Sequence, residues 1–171
     1  MGPFSICVTV GTLSLQFDRL LRFLASVGLR DCSGLIQFGG SDAALLEPVR
    51  GNFNTQAFVP DKELDHAIVM SHVVIAHAGI GSIIKANSLK RPLVLLPRLE
   101  KYGEHFDDHQ LQIVEVIRYI PGIFVSDDSA DDFRQKVLKS LIAPPAVASA
   151  LGGDELPQYL GSRVEKLQLR N

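Results

Sequence analysis

The sequence is 171 residues long, with 46% hydrophobic and 21% charged residues. This is enough for one domain with a substantial core, and it excludes a disordered chain or a fibrous repeat. Seventeen Lys and Arg residues and nineteen Asp and Glu residues give a formal net charge of −2. Nucleic-acid binding is disfavoured because no basic excess exists to neutralise phosphates.

Two cysteines, Cys7 and Cys32, form neither a CxxC pair nor a disulfide framework, which favours a reduced, cytoplasmic compartment. Cys7 lies in an apolar run and is expected to be a small buried hydrophobe. The first residues lack the basic region of a signal peptide. The most apolar stretch, 68–84, is interrupted by His72, His77 and two glycines, so we do not expect it to span a bilayer.

Short β-branched runs alternate with segments of helical periodicity over residues 1–142. This alternation predicts an α/β domain with a mostly parallel, doubly wound, Rossmann-like sheet covered by helices on both faces. The predicted strands are 6–10, 35–38, 55–59, 73–76, 93–96 and 123–125. Two of the predicted helices cover 17–27 and 131–141, and another starts near Asp61. A further helix can be capped by Ser82 and ends near Leu89. The helix between 98 and 123 has Leu111, Ile113, Val114 and Ile117 inward.

The C-terminal part of the sequence has a different character. Residues 143–155 are rich in Pro, Gly and Ala and are predicted to be a linker, and 156–171 are predicted to form a last helix. We expect this helix to pack back on its own sheet, and docking to a partner is the alternative. Its apolar stripe consists of Leu156, Tyr159, Leu160, Val164 and Leu167.

In an open α/β sheet, ligands bind beyond the carboxyl ends of the strands. Four loops are expected at that edge: 11–12, 58–60, 77–82 and 98–110. Loop 77–82, with the sequence HAGIGS, has glycines that allow close approach of a ligand, and the helix after it suits a phosphate. A plain strand-to-helix turn is the alternative. The loop lacks the GxGxxG spacing of a dinucleotide fold and the lysine of a P-loop, which disfavours NAD and ATP.

Residues 102–110, with the sequence YGEHFDDHQ, concentrate carboxylates, two imidazoles and an amide, a density that suits sugar hydroxyls. Two alternatives remain open: Asp107 or Asp108 caps the following helix, or His105 and His109 share a metal with a carboxylate. The metal is disfavoured because the helix is expected to begin between the two histidines. No spacing supports a nucleophile with its base.

Four segments of the sequence together resemble a known family: 8–12, 74–82, 91–98 and 108–110. Over residues 5–140 the chain resembles the C-terminal, donor-binding half of glycosyltransferase family 28, the MurG-like enzymes of the GT-B fold. It is most similar to the small subunits of bacterial exopolysaccharide glycosyltransferases of the PssE and EpsE type. A eukaryotic relative is the cytosolic subunit of the chitobiose N-acetylglucosaminyltransferase.

The resemblance implies a UDP-sugar donor, with the uracil beside Phe58 and Val59 and the donor sugar near His109 and Gln110. It also implies a helix residue that contacts the ribose, usually Glu, and Lys85 stands at that position. A cation cannot accept hydrogen bonds from ribose hydroxyls. The complete set of predicted nucleotide-sugar-binding residues is Gly11, Thr12, Phe58, Val59, His77, Ala78, Gly79, Gly81, Ser82, Glu104, Asp108, His109 and Gln110.

The expected function is that of the donor-binding catalytic subunit of a two-component, inverting UDP-glycosyltransferase, which adds a hexose-type sugar to a lipid-linked glycan. A membrane-associated, PssD-like partner is expected to bind the acceptor, supply the catalytic base and hold this chain at the inner face of the membrane. No metal and no cofactor besides the donor are expected. The alternatives are a non-catalytic nucleotide-sugar-binding or regulatory subunit, which Lys85 favours, and the chitobiose-type N-acetylglucosaminyltransferase small subunit.

Overall fold

A computed structural model describes residues 4–143 of the chain. This part contains six strands and five α-helices, with short 3-10 turns in the connections. The strands are β1 Phe4–Thr9, β2 Cys32–Gln37, β3 Phe53–Gln56, β4 Val73–His77, β5 Leu93–Leu96 and β6 Ile123–Val125. The helices are α1 Asp18–Ser26, α2 Asp61–Met70, α3 Ile80–Ser88, α4 His109–Ile117 and α5 Ala130–Leu141.

The six strands form one sheet in the order β3-β2-β1-β4-β5-β6, and every adjacent pair is parallel. The chain moves outward from β1 to β3 and then returns to the other side of β1 with β4. The point between β1 and β4 is therefore the switch point, where open α/β sheets bind their ligands. The predicted doubly wound α/β fold is confirmed.

Two hydrophobic cores cover the two faces of the sheet. Ile6 and Val8 of β1 face the core that α1 and α5 complete, whereas Cys7 between them faces the core under α2, α3 and α4. Both faces of a strand must be apolar when helices cover both, which explains the continuous apolar run in β1. Cys7 is fully buried, as expected, and burial raises the pKa of its thiol to about 12.

Two boundary predictions near the cleft need correction. The third strand is Phe53–Gln56 rather than 55–59, because the chain turns toward Pro60 at the start of α2. Helix α3 begins at Ile80 with Gly79 at its N-cap, so Ser82 lies within the first turn and does not cap the helix.

The inward face of α4 also differs from the expected one. Leu111 is 39% exposed, whereas Gln110 is buried together with Ile113, Val114 and Ile117. The buried positions follow the i, i+3, i+4, i+7 spacing of one helix face, and Leu111 lies outside that face.

Most of the predicted linker at 143–155 and the predicted helix at 156–171 lie outside the described residues. The division into domains therefore remains a prediction. Within residues 4–143, no helix combines the length and the apolar character needed to cross a membrane.

Candidate functional site

A cleft of about 360 Å³ opens at the switch point, beyond the carboxyl ends of β1, β2 and β4 and beside α2 and α3. It contains six of the residues predicted from the sequence, contributed by three separate loops. Its lining residues are Thr9, Gly11, Thr12, Gln37, Val59, Asp61, Leu64, Ile68, His77, Gly81, Ser82 and Lys85.

The N-terminus of α3 forms one wall of the cleft. The first backbone hydrogen bond of the helix runs from the Ile83 amide to the Gly79 carbonyl oxygen at 3.1 Å. The amides of Ile80, Gly81 and Ser82 precede it, and two of these three residues line the cleft. Free amides at the positive end of a helix dipole make this wall suitable for an anion such as a phosphate.

The imidazole of His77 lies between two glycines at the inner end of the cleft. Gly11 has a φ of +79°, and a Cβ there would lie 2.5 Å from His77 Cε1. A Cβ at Gly79 would lie 2.2 Å from His77 Nε2. Both glycines are therefore required to accommodate the imidazole, a reason that the sequence did not show.

His77 is half-buried in the cleft wall, and the enclosure of its ring keeps it neutral. Burial, followed by the positive charge of Arg98 and the proximity of His105, lowers the pKa of His77 to about 4. Its Nδ1 atom is buried and has no hydrogen-bond partner among the residues described. The ring therefore retains an unused polar atom beside the glycine turn.

A fully buried arginine connects the loops that surround this end of the cleft. The Arg98 guanidinium donates to the carbonyl oxygens of Val10 at 3.0 Å, Leu15 at 3.0 Å and Glu104 at 2.9 Å, and it stacks 4.6 Å from the Phe17 ring centroid. Burial lowers the pKa of Arg98 to about 10, so the group stays protonated at neutral pH. Sequence reasoning treated Arg98 as a loop boundary and as the last residue of the family motif 91–98, and it did not predict that the guanidinium is buried.

Two of the predicted sugar-binding residues make interior contacts. The Gln110 side-chain carbonyl accepts hydrogen bonds from the Ala78 amide and the Arg98 amide, both at 3.0 Å. Glu104 is buried, and its carboxylate forms an ion pair with Arg19 at 2.7 Å. The Gln110 contacts hold the ends of β4 and β5 together, and the Glu104 ion pair ties the loop after β5 to α1. A role of either residue in sugar binding remains a prediction.

In the loop before α4, Asp108 stands at the N-cap position without a side-chain capping bond, and Asp107 instead binds the first amide of the helix. Asp107 accepts a hydrogen bond from the His109 amide at 3.0 Å and lies 2.9 Å from His105 Nδ1. The His109 amide is the main cause that lowers the pKa of Asp107. Asp108 accepts from the Glu100 amide at 2.9 Å. Within residues 4–143, no three His, Cys, Asp or Glu side chains are grouped so that they could hold a metal ion.

The site also contains two polar residues that sequence reasoning did not select, in addition to Lys85. Thr9 and Gln37 end β1 and β2, and the Thr9 hydroxyl donates to the Gln37 side-chain carbonyl at 2.6 Å. On the rim, Lys85 Nζ lies 2.9 Å from Asp65 Oδ1 and 3.3 Å from Asp61 Oδ1. These hydrogen bonds, that to Asp65 most of all, raise the pKa of Lys85.

The remaining predicted residues lie around the cleft rather than in it. Phe58 is mostly exposed in the loop after β3, next to the cleft-lining Val59, and Ala78 is buried beneath the glycine turn. His109 is half-buried at the start of α4, and its Nδ1 is 3.4 Å from Gln112 Oε1.

A doubly wound parallel sheet with a glycine turn, a helix N-terminus and a cleft at its switch point defines the class of nucleotide-binding α/β domains. The Glycosyltransferase family 28 C-terminal domain matches residues 5–141, and the chain belongs to this family. The resemblance to glycosyltransferase family 28 drawn from the sequence motifs is thereby confirmed, and the similarity to small subunits of the PssE and EpsE type remains a prediction. No curated protein sequence matches the chain.

Several solved glycosyltransferases share the fold. The glycotransferase of kitacinnamycin is 19% identical with a TM-score of 0.63, over 98% of this chain and 43% of that protein. A variant of Os79 from O. sativa in complex with UDP is 15% identical with a TM-score of 0.60, over 96% and 38%. The spinosyn rhamnosyltransferase SpnG complexed with thymidine diphosphate is 17% identical with a TM-score of 0.59, over 100% and 46%. At these identities the likeness shows the fold alone, and the chain spans less than half the length of each protein.

Proposed function

We propose that this chain binds a UDP-sugar at the switch-point cleft and is the donor-binding catalytic subunit of a two-component, inverting glycosyltransferase. The product would be a hexose-type sugar added to a lipid-linked glycan, as in exopolysaccharide synthesis by PssE-type subunits. The observation that carries the proposal is the cleft, in which the N-terminus of α3, the glycine turn and the neutral His77 meet. Membership of the glycosyltransferase family supports the same reading.

The shape of the cleft favours one orientation of the donor. The diphosphate would bind the amides of Gly81 and Ser82 at the positive end of α3. The uracil would lie beside Phe58 and Val59 at the end of β3, and the sugar would extend toward the loop before α4. Since Arg98 is buried below the site and protonated, its charge adds to the attraction of a diphosphate.

In the proposed reaction an acceptor hydroxyl attacks C1 of the donor sugar from the side opposite to the diphosphate. The bond between C1 and the diphosphate oxygen breaks as the new glycosidic bond forms, and UDP leaves. The amides and dipole of α3 stabilise the negative charge that develops on the leaving diphosphate. A base on the partner subunit takes the proton of the acceptor hydroxyl.

The exposed surface around the cleft supports a partner at this edge. Phe58, Tyr102 and Phe106 are each more than half exposed, and all three lie in loops at the carboxyl ends of the strands. Large apolar side chains exposed at one edge are typical of an interaction surface. We propose that the partner which meets this surface carries the acceptor site.

Substitution of Gly81 tests donor binding without disturbing the fold. A Cβ at Gly81 meets no atom within 4 Å, so the side chain of Gly81→Leu should project into the cleft and exclude the diphosphate. We expect calorimetric titration with UDP to show binding to the wild-type chain and a loss of at least about tenfold in the variant.

The matched control is Gly51→Leu, because a Cβ at this exposed glycine also meets no atom within 4 Å and the residue lies outside the cleft. It should bind UDP as the wild type does, and both variants should unfold at the wild-type urea concentration. Absence of UDP binding to the wild-type chain, or wild-type affinity in Gly81→Leu, would overturn the proposal.

A further inference from the structure

The floor of the cleft contains a buried pair of polar side chains at the ends of β1 and β2. Thr9 and Gln37 are register partners in these two parallel strands, and each is 3% exposed. The preceding partners on the same face of the sheet, Cys7 and Leu35, belong to the hydrophobic core under α2, α3 and α4. The face therefore changes from apolar to polar at the pair that lines the cleft, although an apolar pair would cost less free energy to bury.

Hydrogen bonds connect this polar pair to the backbone of Gly11. The Thr9 hydroxyl has one proton, which it donates to Gln37 Oε1 at 2.6 Å, so its oxygen accepts the hydrogen bond from the Gly11 amide at 3.2 Å. The Gln37 side-chain amide is thereby oriented with Nε2 toward the Gly11 carbonyl oxygen, a longer contact of 3.5 Å. The pair therefore holds both backbone groups of Gly11.

The turn at Gly11 borders the part of the cleft that the proposed function uses. Gly11 has a φ of +79° and packs against the His77 imidazole, and both Gly11 and Thr12 line the cleft. The preceding residue is held separately, because the Val10 carbonyl oxygen accepts from the Arg98 guanidinium at 3.0 Å. Since a glycine backbone is freer than that of any other residue, the turn itself depends on the bonds from the polar pair.

Resting on the proposed function, we infer that Thr9 and Gln37 are positioning residues, which hold the Gly11 turn and the His77 ring in the arrangement that binds the donor diphosphate. A turn that is fixed before the ligand arrives does not have to be ordered on binding, which strengthens the affinity. The effect falls on the diphosphate because the turn packs, through His77, against the glycine turn that precedes α3. The nucleoside, which lies at the end of β3 in the proposed orientation, is not affected.

Removal of the Thr9 hydroxyl tests this positioning role. Thr9→Val keeps the branched shape of the side chain and leaves the Gly11 amide and Gln37 Oε1 without their common partner. We expect calorimetry to show that the variant binds UDP at least about tenfold more weakly than the wild type does. Uridine, which lacks the diphosphate, should bind both proteins equally in ligand-observed NMR titrations. Thr9→Ser supplies the hydroxyl again and should recover most of the lost affinity for UDP.

A second variant tests the other member of the pair. Gln37→Met keeps the length of the side chain, removes its amide and should weaken UDP binding in the same way. Because Thr9 and Gln37 act as one unit, the double variant should lose about as much affinity as either single variant. Ser140→Ala is the control, since it removes a buried hydroxyl from α5, outside the cleft, and should bind UDP as the wild type does.

The outcomes separate the positioning role from the function on which it rests. Failure of the wild-type chain to bind UDP would overturn the donor site as a whole. Wild-type affinity for UDP in Thr9→Val, an equal loss of UDP and uridine affinity, or no recovery in Thr9→Ser would overturn only the positioning role. Urea unfolding verifies that each variant is folded, and Gln37→Met decides the question by the same criteria if Thr9→Val does not fold.

Discussion

At the scale of single residues, His77 shows how packing controls the chemistry of the cleft. Its ring fits between the turns after β1 and β4 only because positions 11 and 79 are glycines. The same enclosure limits the contact of the ring with water and keeps it neutral. A neutral imidazole beside a diphosphate can donate a hydrogen bond from one nitrogen and accept one at the other.

The lowered pKa of His77 predicts a loss of stability in acid. The unfolded chain takes up the proton near pH 6.5, whereas the folded chain resists it until about pH 4. The contribution is therefore complete above the unfolded pKa and is lost as the pH falls through this range, by at most about 3 kcal/mol. We expect His77→Gln to show a shallower decrease of the free energy of unfolding than the wild type.

Urea unfolding at several pH values between these limits measures both slopes, and His66→Gln, at an exposed histidine of α2, is the control substitution. Parallel slopes in the wild type and His77→Gln would contradict the prediction. The comparison uses slopes because the substitution itself can change stability at every pH.

At the scale of elements, buried polar side chains determine how the loops at the carboxyl edge are arranged. Arg98 connects the loop after β1 with the loop after β5, and Gln110 connects α4 with the ends of β4 and β5. Each of these two side chains binds backbone groups that the loops leave without a backbone partner. The shape of the cleft therefore depends on side chains that do not line it.

Removal of the Arg98 guanidinium should destabilise the fold strongly. Arg98→Met keeps a similar length but leaves the carbonyl oxygens of Val10, Leu15 and Glu104 buried without donors. We expect the free energy of unfolding to fall by about 3 kcal/mol or more. Arg98→Lys should also destabilise, because an ammonium group lacks the fork geometry that reaches all of these oxygens.

Urea denaturation measures the loss, and Arg22→Met, at an exposed arginine of α1, is the matched control and should stay within about 0.5 kcal/mol of the wild type. Wild-type stability in Arg98→Met would show that the loops hold their positions without the guanidinium.

At the scale of the whole molecule, the doubly wound sheet places all of the candidate site at one open edge. The switch-point cleft and three exposed aromatic side chains share this edge, whereas α1, α5 and α2 to α4 cover the faces. The proposed partner would therefore meet the carboxyl ends of the strands and complete the cleft at its open side.

This arrangement predicts that sugar transfer requires both subunits. Membranes that contain the co-expressed acceptor-binding partner should incorporate radiolabelled sugar from a UDP-sugar into lipid, and Gly81→Leu should abolish incorporation. The purified chain alone should bind UDP without transferring sugar, because the base and the acceptor site are proposed to lie on the partner. Robust transfer by the purified chain alone would refute the two-component proposal.

The sequence by itself determined the order and type of the described elements, because apolar runs and helical periodicity are local properties. It also indicated loop 77–82 and the family, since glycines and motif order are visible along the chain. Only the tertiary structure decided which polar groups meet: Arg19 pairs with Glu104 from 85 positions away, Gln110 with the Ala78 amide from 32, and Lys85 with Asp61 from 24. The first two pairs form because buried polar groups need partners, whereas Lys85 and Asp61 pair at the exposed rim of the cleft. In each case no local sequence pattern shows which distant residue the fold brings close.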